Sequence, residues 1–204
     1  MFGKSTKSST VPSQASSKRS KSTVTPAQQA ARERALEIKR LQEEALSKLP
    51  IGSLYIVLYL RSDPPEPNNF HWGFYFHTIP SGGTKYHVKN LGIGWITDHG
   101  DTGGVFKSNF LCVVIHIATV PQARHAQVDQ TMKSLDGNIN SIPGISCRVW
   151  LLSILQKLIQ NGIVRCSSYT ELEQECFTIG NDHSSRAADN DQPRPVVRSR
   201  VCAI

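Results

Sequence analysis

The sequence contains no long apolar run, and this absence excludes several classes of protein. The chain has 204 residues, and no apolar stretch approaches the roughly 20 residues that a membrane-spanning helix needs. The N-terminal residues carry charges with no apolar segment behind them, so we expect no secretory signal. A chain of this length is too short for a large multidomain enzyme and fits one domain of ordinary size.

Cysteine is scarce, and its spacing does not indicate a metal site. The five cysteines include no CxxC pair, and no two histidines have zinc-ligand spacing, so we expect neither a metal nor a cofactor. Cys202 is third from the end, whereas prenylation requires the fourth position. We therefore expect an intracellular protein, cytoplasmic or nuclear, with its cysteines as free thiols.

Acidic residues are outnumbered by basic ones, but the excess lies outside the apolar middle of the chain. Of the net charge of +7, residues 1–48 carry +6, residues 49–181 carry zero and residues 182–204 carry +1. The Ser/Thr/Lys-rich residues 1–24 and the polar residues 182–204 are both expected to be disordered tails, because neither has enough apolar surface to fold. The basic N-terminal tail is consistent either with contact to a nucleic acid or with a role in solubility. The zero net charge of residues 49–181 disfavours a nucleic acid as a partner.

The remaining sequence predicts an α+β domain over residues 50–181, preceded by an amphipathic helix over residues 25–49 that is a candidate surface for a protein partner. Thr25, Pro26 and Gln28 have the spacing of a helix start with a capping box. Composition and alternation predict a small antiparallel sheet packed with helices. The predicted strands cover residues 54–60, 70–78, 84–89 and 110–119, and the predicted helices follow Pro121, cover residues 147–161 and begin at Ser168.

The strand over residues 70–78 carries the first candidate for chemistry. Alternation places an aromatic set on one face, which suits a core, and places His71, Gly73 and His77 on the other face, which suits a cleft. If the following hairpin pairs with its faces aligned, His87 of the next strand shares a surface with His71. The alternative interpretation is that these are two half-exposed histidines of the sheet that form no functional site.

Cys147 is the second candidate, because it lies in the first turn of the strongest predicted helix. Unpaired N–H groups and the helix dipole at that position favour a thiolate and can hold an oxyanion. The alternative interpretation is a small apolar core residue.

Together these features resemble the circularly permuted papain-like superfamily, with the lecithin retinol acyltransferase-like and NlpC-like enzymes as the most similar groups. The resemblance covers about residues 54–162 and rests on the strand beginning His-Trp-x-x-Tyr, the histidine of the second strand and the cysteine that opens a helix. It implies that Cys147 is the nucleophile, His71 the general base and His87 the residue that orients the base. His77 is the rival base, because it faces the same side as His71. The chain also resembles fungal proteins of unknown function with the same His-Trp strand and Cys-Arg-Val-Trp helix.

Three functions follow as expectations. The first is a cysteine-dependent hydrolase or acyltransferase that cleaves an ester, thioester or amide of a small-molecule, lipid or peptide substrate through an acyl-enzyme. The second is a catalytically inactive papain-like interaction domain. The third is a nucleic-acid binder that works through its basic tails.

Overall fold

The computed structural model describes residues 25–203, so the expected disordered tail over residues 1–24 lies outside the described residues. The fold is α+β, with a mostly antiparallel sheet and four α-helices, as predicted. The helices are α1 Pro26–Ser47, α2 His125–Met132, α3 Cys147–Gln160 and α4 Tyr169–Ala188. The strands are β1 Ser53–Leu60, β2 Phe70–Ile79, β3 Gly82–Tyr86, β4 Val88–Asn90, β5 Trp95–Thr97, β6 Gly100–Thr102, β7 Leu111–Thr119 and β8 Val196–Arg198.

Six strands form the main sheet in the order β6-β3-β2-β1-β7-β8. Every neighbouring pair is antiparallel except β7 and β8, which are parallel. The register of β1 and β2 places Tyr59 opposite His71 and Val57 opposite Gly73. A separate hairpin of β4 and β5 leaves the sheet after Tyr86 and returns just before β6.

Both faces of the sheet are covered, which explains why β1 is apolar along nearly its whole length. The even-numbered apolar side chains of β1 and β2, such as Trp72 and Phe74, belong to the larger core cluster, together with buried residues of α2, α3 and α4. The odd-numbered Tyr55, Val57 and Tyr75 form a smaller cluster with the end of α1. His71 and Gly73 therefore lie on the face that the smaller cluster occupies.

Helix α1 begins where the sequence predicts a capping box. The Thr25 hydroxyl accepts the Gln28 N–H, and the Gln28 side chain accepts the Thr25 N–H. Residues 26–37 are all exposed, and Gln42 and Leu46 are the residues of α1 that are buried. Only the C-terminal half of this helix therefore packs against the domain.

The strand predicted over residues 84–89 is interrupted at His87. The backbone N–H of His87 donates to Nδ1 of His99, and its carbonyl accepts the N–H of Asp98. These hydrogen bonds take the place of backbone hydrogen bonds to β2. The chain therefore leaves the main sheet at His87, and Val88 begins the β4–β5 hairpin.

The expectation of a disordered tail over residues 182–204 is wrong. The helix that begins after Ser168 is long rather than short and continues to Ala188, and β8 extends the sheet beside β7. Arg194 holds the segment after α4 in place. Its buried guanidinium donates to the carbonyls of Asn109 and Asp191 and to the side chain of Asn190. These bonds join the segment after α4 to the loop before β7, and composition alone does not reveal them.

Two properties of the described residues bear on function. None of their helices combines the length and the apolar character needed to cross a membrane. Within residues 25–203, no group of three or more His, Cys, Asp or Glu side chains is arranged to hold a metal ion.

Candidate active site

The structure brings His71 and His87 together. Nε2 of His71 lies 2.9 Å from Nδ1 of His87, and the two rings meet edge to face with centroids 5.1 Å apart. Gly73 makes this approach feasible, since a Cβ at that position would lie 3.2 Å from Cβ of His87. The glycine on the histidine face of β2 thus provides the space into which the second imidazole fits.

Asp98 lies beside the ring nitrogen of His87 that does not contact His71. Its Oδ2 is 3.1 Å from Nε2 of His87, although the two are not aligned as a hydrogen bond. Burial raises the pKa of Asp98, but its contacts with Lys89 and His87 outweigh burial and keep it below its ordinary value. A carboxylate favours a proton on the nitrogen that faces it, and in that tautomer Nδ1 of His87 accepts and Nε2–H of His71 donates.

This arrangement leaves Nδ1 of His71 as an unprotonated nitrogen. Burial, aided by the positive charges of Arg61 and Lys85, lowers the pKa of His71 to about 4. Burial also lowers the pKa of His87 to about 4, with Lys85 and His71 as further causes. Both imidazoles are therefore neutral at pH 7, and His71 has the protonation state that a general base requires.

A second histidine–aspartate contact connects this cluster to helix α3. Nε2 of His99 lies 3.2 Å from Oδ1 of Asp136, while its Nδ1 accepts the backbone N–H of His87. The imidazole of His99 also lies 5.6 Å from the ring of Trp150 in the first turns of α3. Both ring nitrogens of His99 are therefore engaged in contacts within the protein.

Cys147 is the first residue of α3, and Ser146 caps that helix. The Ser146 hydroxyl accepts the N–H of Val149 and its carbonyl accepts the N–H of Trp150. Within the described residues, these contacts leave the N–H groups of Cys147 and Arg148 without an acceptor. The start of α3 therefore has two free donors beside the thiol.

The first turn of α3 lies on the Trp72 face of β2, which is the face opposite to that of His71. The guanidinium of Arg148 lies 5.5 Å from the ring of Phe177, and that ring lies 5.2 Å from Trp72. Cys147 itself is only 2 % exposed and belongs to the larger core cluster. Among the described residues, its thiol makes no hydrogen bond to a histidine.

His77, the rival base, occupies a different environment. It is buried near the far end of β2, and its Nδ1 lies 2.9 Å from the hydroxyl of Tyr75. Burial lowers its pKa. In the described part of the chain it has no hydrogen bond to His71 or His87, so the histidine pair forms without it.

The sequence reasoning missed Asp98 and His99. The signal that could have found them is the Gly92-Ile93-Gly94 segment, a glycine-rich turn that connects β4 to β5. In that hairpin Val88 pairs with Thr97, so the residues just outside the pair, His87 and Asp98, must also be adjacent.

Comparison with known proteins identifies the family to which this chain belongs. Residues 52–180 match the sequence profile described as "Family of unknown function (DUF6914)". The chain belongs to this DUF6914 family. The matched residues include His71, His87, Asp98 and Cys147, so the whole candidate site lies within the DUF6914 region. No curated protein and no solved structure matches the chain.

Proposed function

We propose that this protein is a cysteine-dependent hydrolase or acyltransferase with Cys147 as nucleophile and His71 as general base. The observation that carries the proposal is the 2.9 Å contact of the two imidazoles, because it directs Nε2 of His71 to His87 and leaves Nδ1 to accept a proton. His87 is a positioning residue in this scheme, and Asp98 acts through His87. The permuted papain-like resemblance assigns the same roles to Cys147, His71 and His87.

The chemistry begins with proton transfer from the Cys147 thiol to Nδ1 of His71. As Sγ bonds to the carbonyl carbon of an ester, thioester or amide, the carbonyl π electrons move to oxygen. The free N–H groups of Cys147 and Arg148 are suitable donors to that oxyanion. Collapse of the intermediate expels the leaving group, which takes the proton from His71, and leaves an acyl-enzyme for water or another acceptor to attack.

A second candidate is a catalytically inactive interaction domain. The observation that favours it is the position of Cys147, which is 2 % exposed and packed in the core cluster on the helix side of the sheet, whereas His71 lies on the other face. A thiol that only fills space in a core has no need of a base.

Alkylation of the folded protein separates the two candidates. We expect iodoacetamide at pH 7 to modify Cys147 of the native chain, as mapped by mass spectrometry of the digested protein. Replacement of the base, His71→Gln, should slow this modification about 100-fold, because general-base assistance is typically worth that much or more. The matched control is His77→Gln, which removes another histidine from the same face of the same strand and should leave the rate unchanged.

Two results would count against the enzyme. If Cys147 of the native chain is modified only after denaturant is added, the interaction domain is the better account. If His71→Gln and His77→Gln slow modification equally, His71 has no special role.

A further inference from the structure

Three of the five cysteines lie near one another in the C-terminal part of the chain. Cys166 follows α3, Cys176 lies in α4 and Cys202 follows β8. Cys166 and Cys202 face each other in an antiparallel bridge between the two chain segments. The proposed function uses none of these thiols.

The hydrogen bonding of this bridge fixes its geometry. The N–H of Ala203 donates to the carbonyl of Arg165 at 2.8 Å, so the bond lies one residue outside the Cys166–Cys202 pair. The two cysteines therefore form a non-hydrogen-bonded antiparallel pair, for which the Cα atoms are about 4.5 Å apart and the side chains are at their closest. Disulfides require Cα separations of about 4.4–6.8 Å, and the separation typical of a non-hydrogen-bonded pair lies within that range.

We propose that Cys166 and Cys202 form a redox-responsive disulfide that fastens the C-terminal segment to the turn after α3. In the reduced state, the half-buried Cys166 thiol donates to the carbonyl of Ser168. Cys202 is buried, and its backbone N–H donates to the Ser199 hydroxyl.

A peroxide is the class of oxidant that suits this pair. Sγ of Cys166, the more exposed thiol, attacks one peroxide oxygen, so that the O–O bond breaks, a sulfenic acid forms and one water leaves. Sγ of Cys202 then attacks the Cys166 sulfur, which forms the S–S bond and releases the second water. Two thiols and one hydrogen peroxide thus give one disulfide and two waters. Burial raises the pKa of Cys202 to about 12, which supports Cys166 as the thiol that reacts first.

The covalent link would hold a segment that is otherwise attached by hydrogen bonds. The Ser199 N–H donates to the carbonyl of His116, and both the Ser199 hydroxyl and the Arg200 N–H donate to the carboxylate of Glu175. A disulfide from Cys202 to Cys166 closes the loop that contains α4 and β8. Closing this loop restricts the unfolded chain and so raises the melting temperature.

The experiment compares the reduced full-length chain with the same chain after brief treatment with dilute hydrogen peroxide. A digest without reductant should contain one peptide pair joined through Cys166 and Cys202, and the melting temperature should rise by about 5 °C or more. The peptide pair and the rise should both disappear in Cys166→Ser and in Cys202→Ser. They should remain in Cys112→Ala, which removes a buried thiol elsewhere in the core.

The peptide map of the native sequence is sufficient by itself if a variant fails to fold. A linkage from Cys176 to either partner, or peroxide treatment that leaves Cys166 and Cys202 unlinked, would overturn the proposal. An increase in melting temperature that persists in Cys202→Ser would overturn it as well.

Discussion

At the scale of single residues, the histidine pair ties the stability of the fold to pH. The pKa values of His71 and His87 are both about 4 in the folded protein, whereas an unfolded histidine titrates near 6.5. Between these values the unfolded chain binds more protons than the folded one, so stability is complete above about pH 6.5 and is lost as pH falls toward 4.

Each of these two histidines should therefore contribute a slope of up to about 1.4 kcal/mol per pH unit in that window. Urea unfolding at several pH values between about 7 and 5 measures the slope. In His71→Gln the slope should be smaller, because one of the two groups is gone. An unchanged slope in this variant would show that His71 titrates normally in the folded protein.

Gly73 is the residue whose replacement should separate the two imidazoles. A Cβ there would lie 3.2 Å from both Cβ of His87 and the carbonyl oxygen of Tyr86, which is closer than side chains normally pack. We expect Gly73→Ala to cost about 1–3 kcal/mol in the free energy of unfolding and to slow the alkylation of Cys147.

The matched control for that substitution is Gly100→Ala in β6, where a Cβ would meet nothing within 4 Å. It should leave the alkylation rate unchanged. Equal effects of the two alanines would mean that the space beside Gly73 is not what positions His87.

At the scale of elements, the two halves of α1 differ in what they contribute. Leu46 is 9 % exposed and packs in the smaller core cluster, whereas Leu36 is 67 % exposed. We expect Leu46→Ala to lower the free energy of unfolding by about 2–4 kcal/mol and Leu36→Ala to change it by less than about 0.5 kcal/mol.

Chemical denaturation of the two variants tests this difference. Equal destabilisation of the protein by Leu36→Ala and Leu46→Ala would show that the N-terminal half of α1 also packs against the domain. The pair of substitutions also keeps the helix propensity nearly constant, because leucine and alanine are both good helix formers.

At the scale of the whole molecule, the alternation of apolar residues in the sequence predicts the main sheet. Contacts between neighbouring strands then position the residues of the candidate site. Period-two alternation in β2 correctly separates the Trp72 face from the His71 face, because both faces are buried against different partners. The pairing of His71 with His87 follows from the same alternation across one hairpin. These features are predictable because they depend on residues close in sequence.

Two features that the sequence does not predict depend on contacts between segments that are distant in the chain. Asp98 reaches His87 only through the β4–β5 hairpin, whose strands are too short to stand out as a pattern. The order of the C-terminal segment depends on Arg194, whose carbonyl partners include Asn109. Neither contact leaves a periodic signal in the chain.

The pH dependence of Cys147 alkylation tests the central claim most directly. If neutral His71 accepts the thiol proton during alkylation, the rate should stay nearly constant from about pH 7 down to about pH 5 and fall as His71 protonates near pH 4. In His71→Gln the rate should instead fall about tenfold for each pH unit, because only the pre-formed thiolate then reacts. A tenfold fall per unit in the native chain as well, identical to that of His71→Gln, would contradict the account.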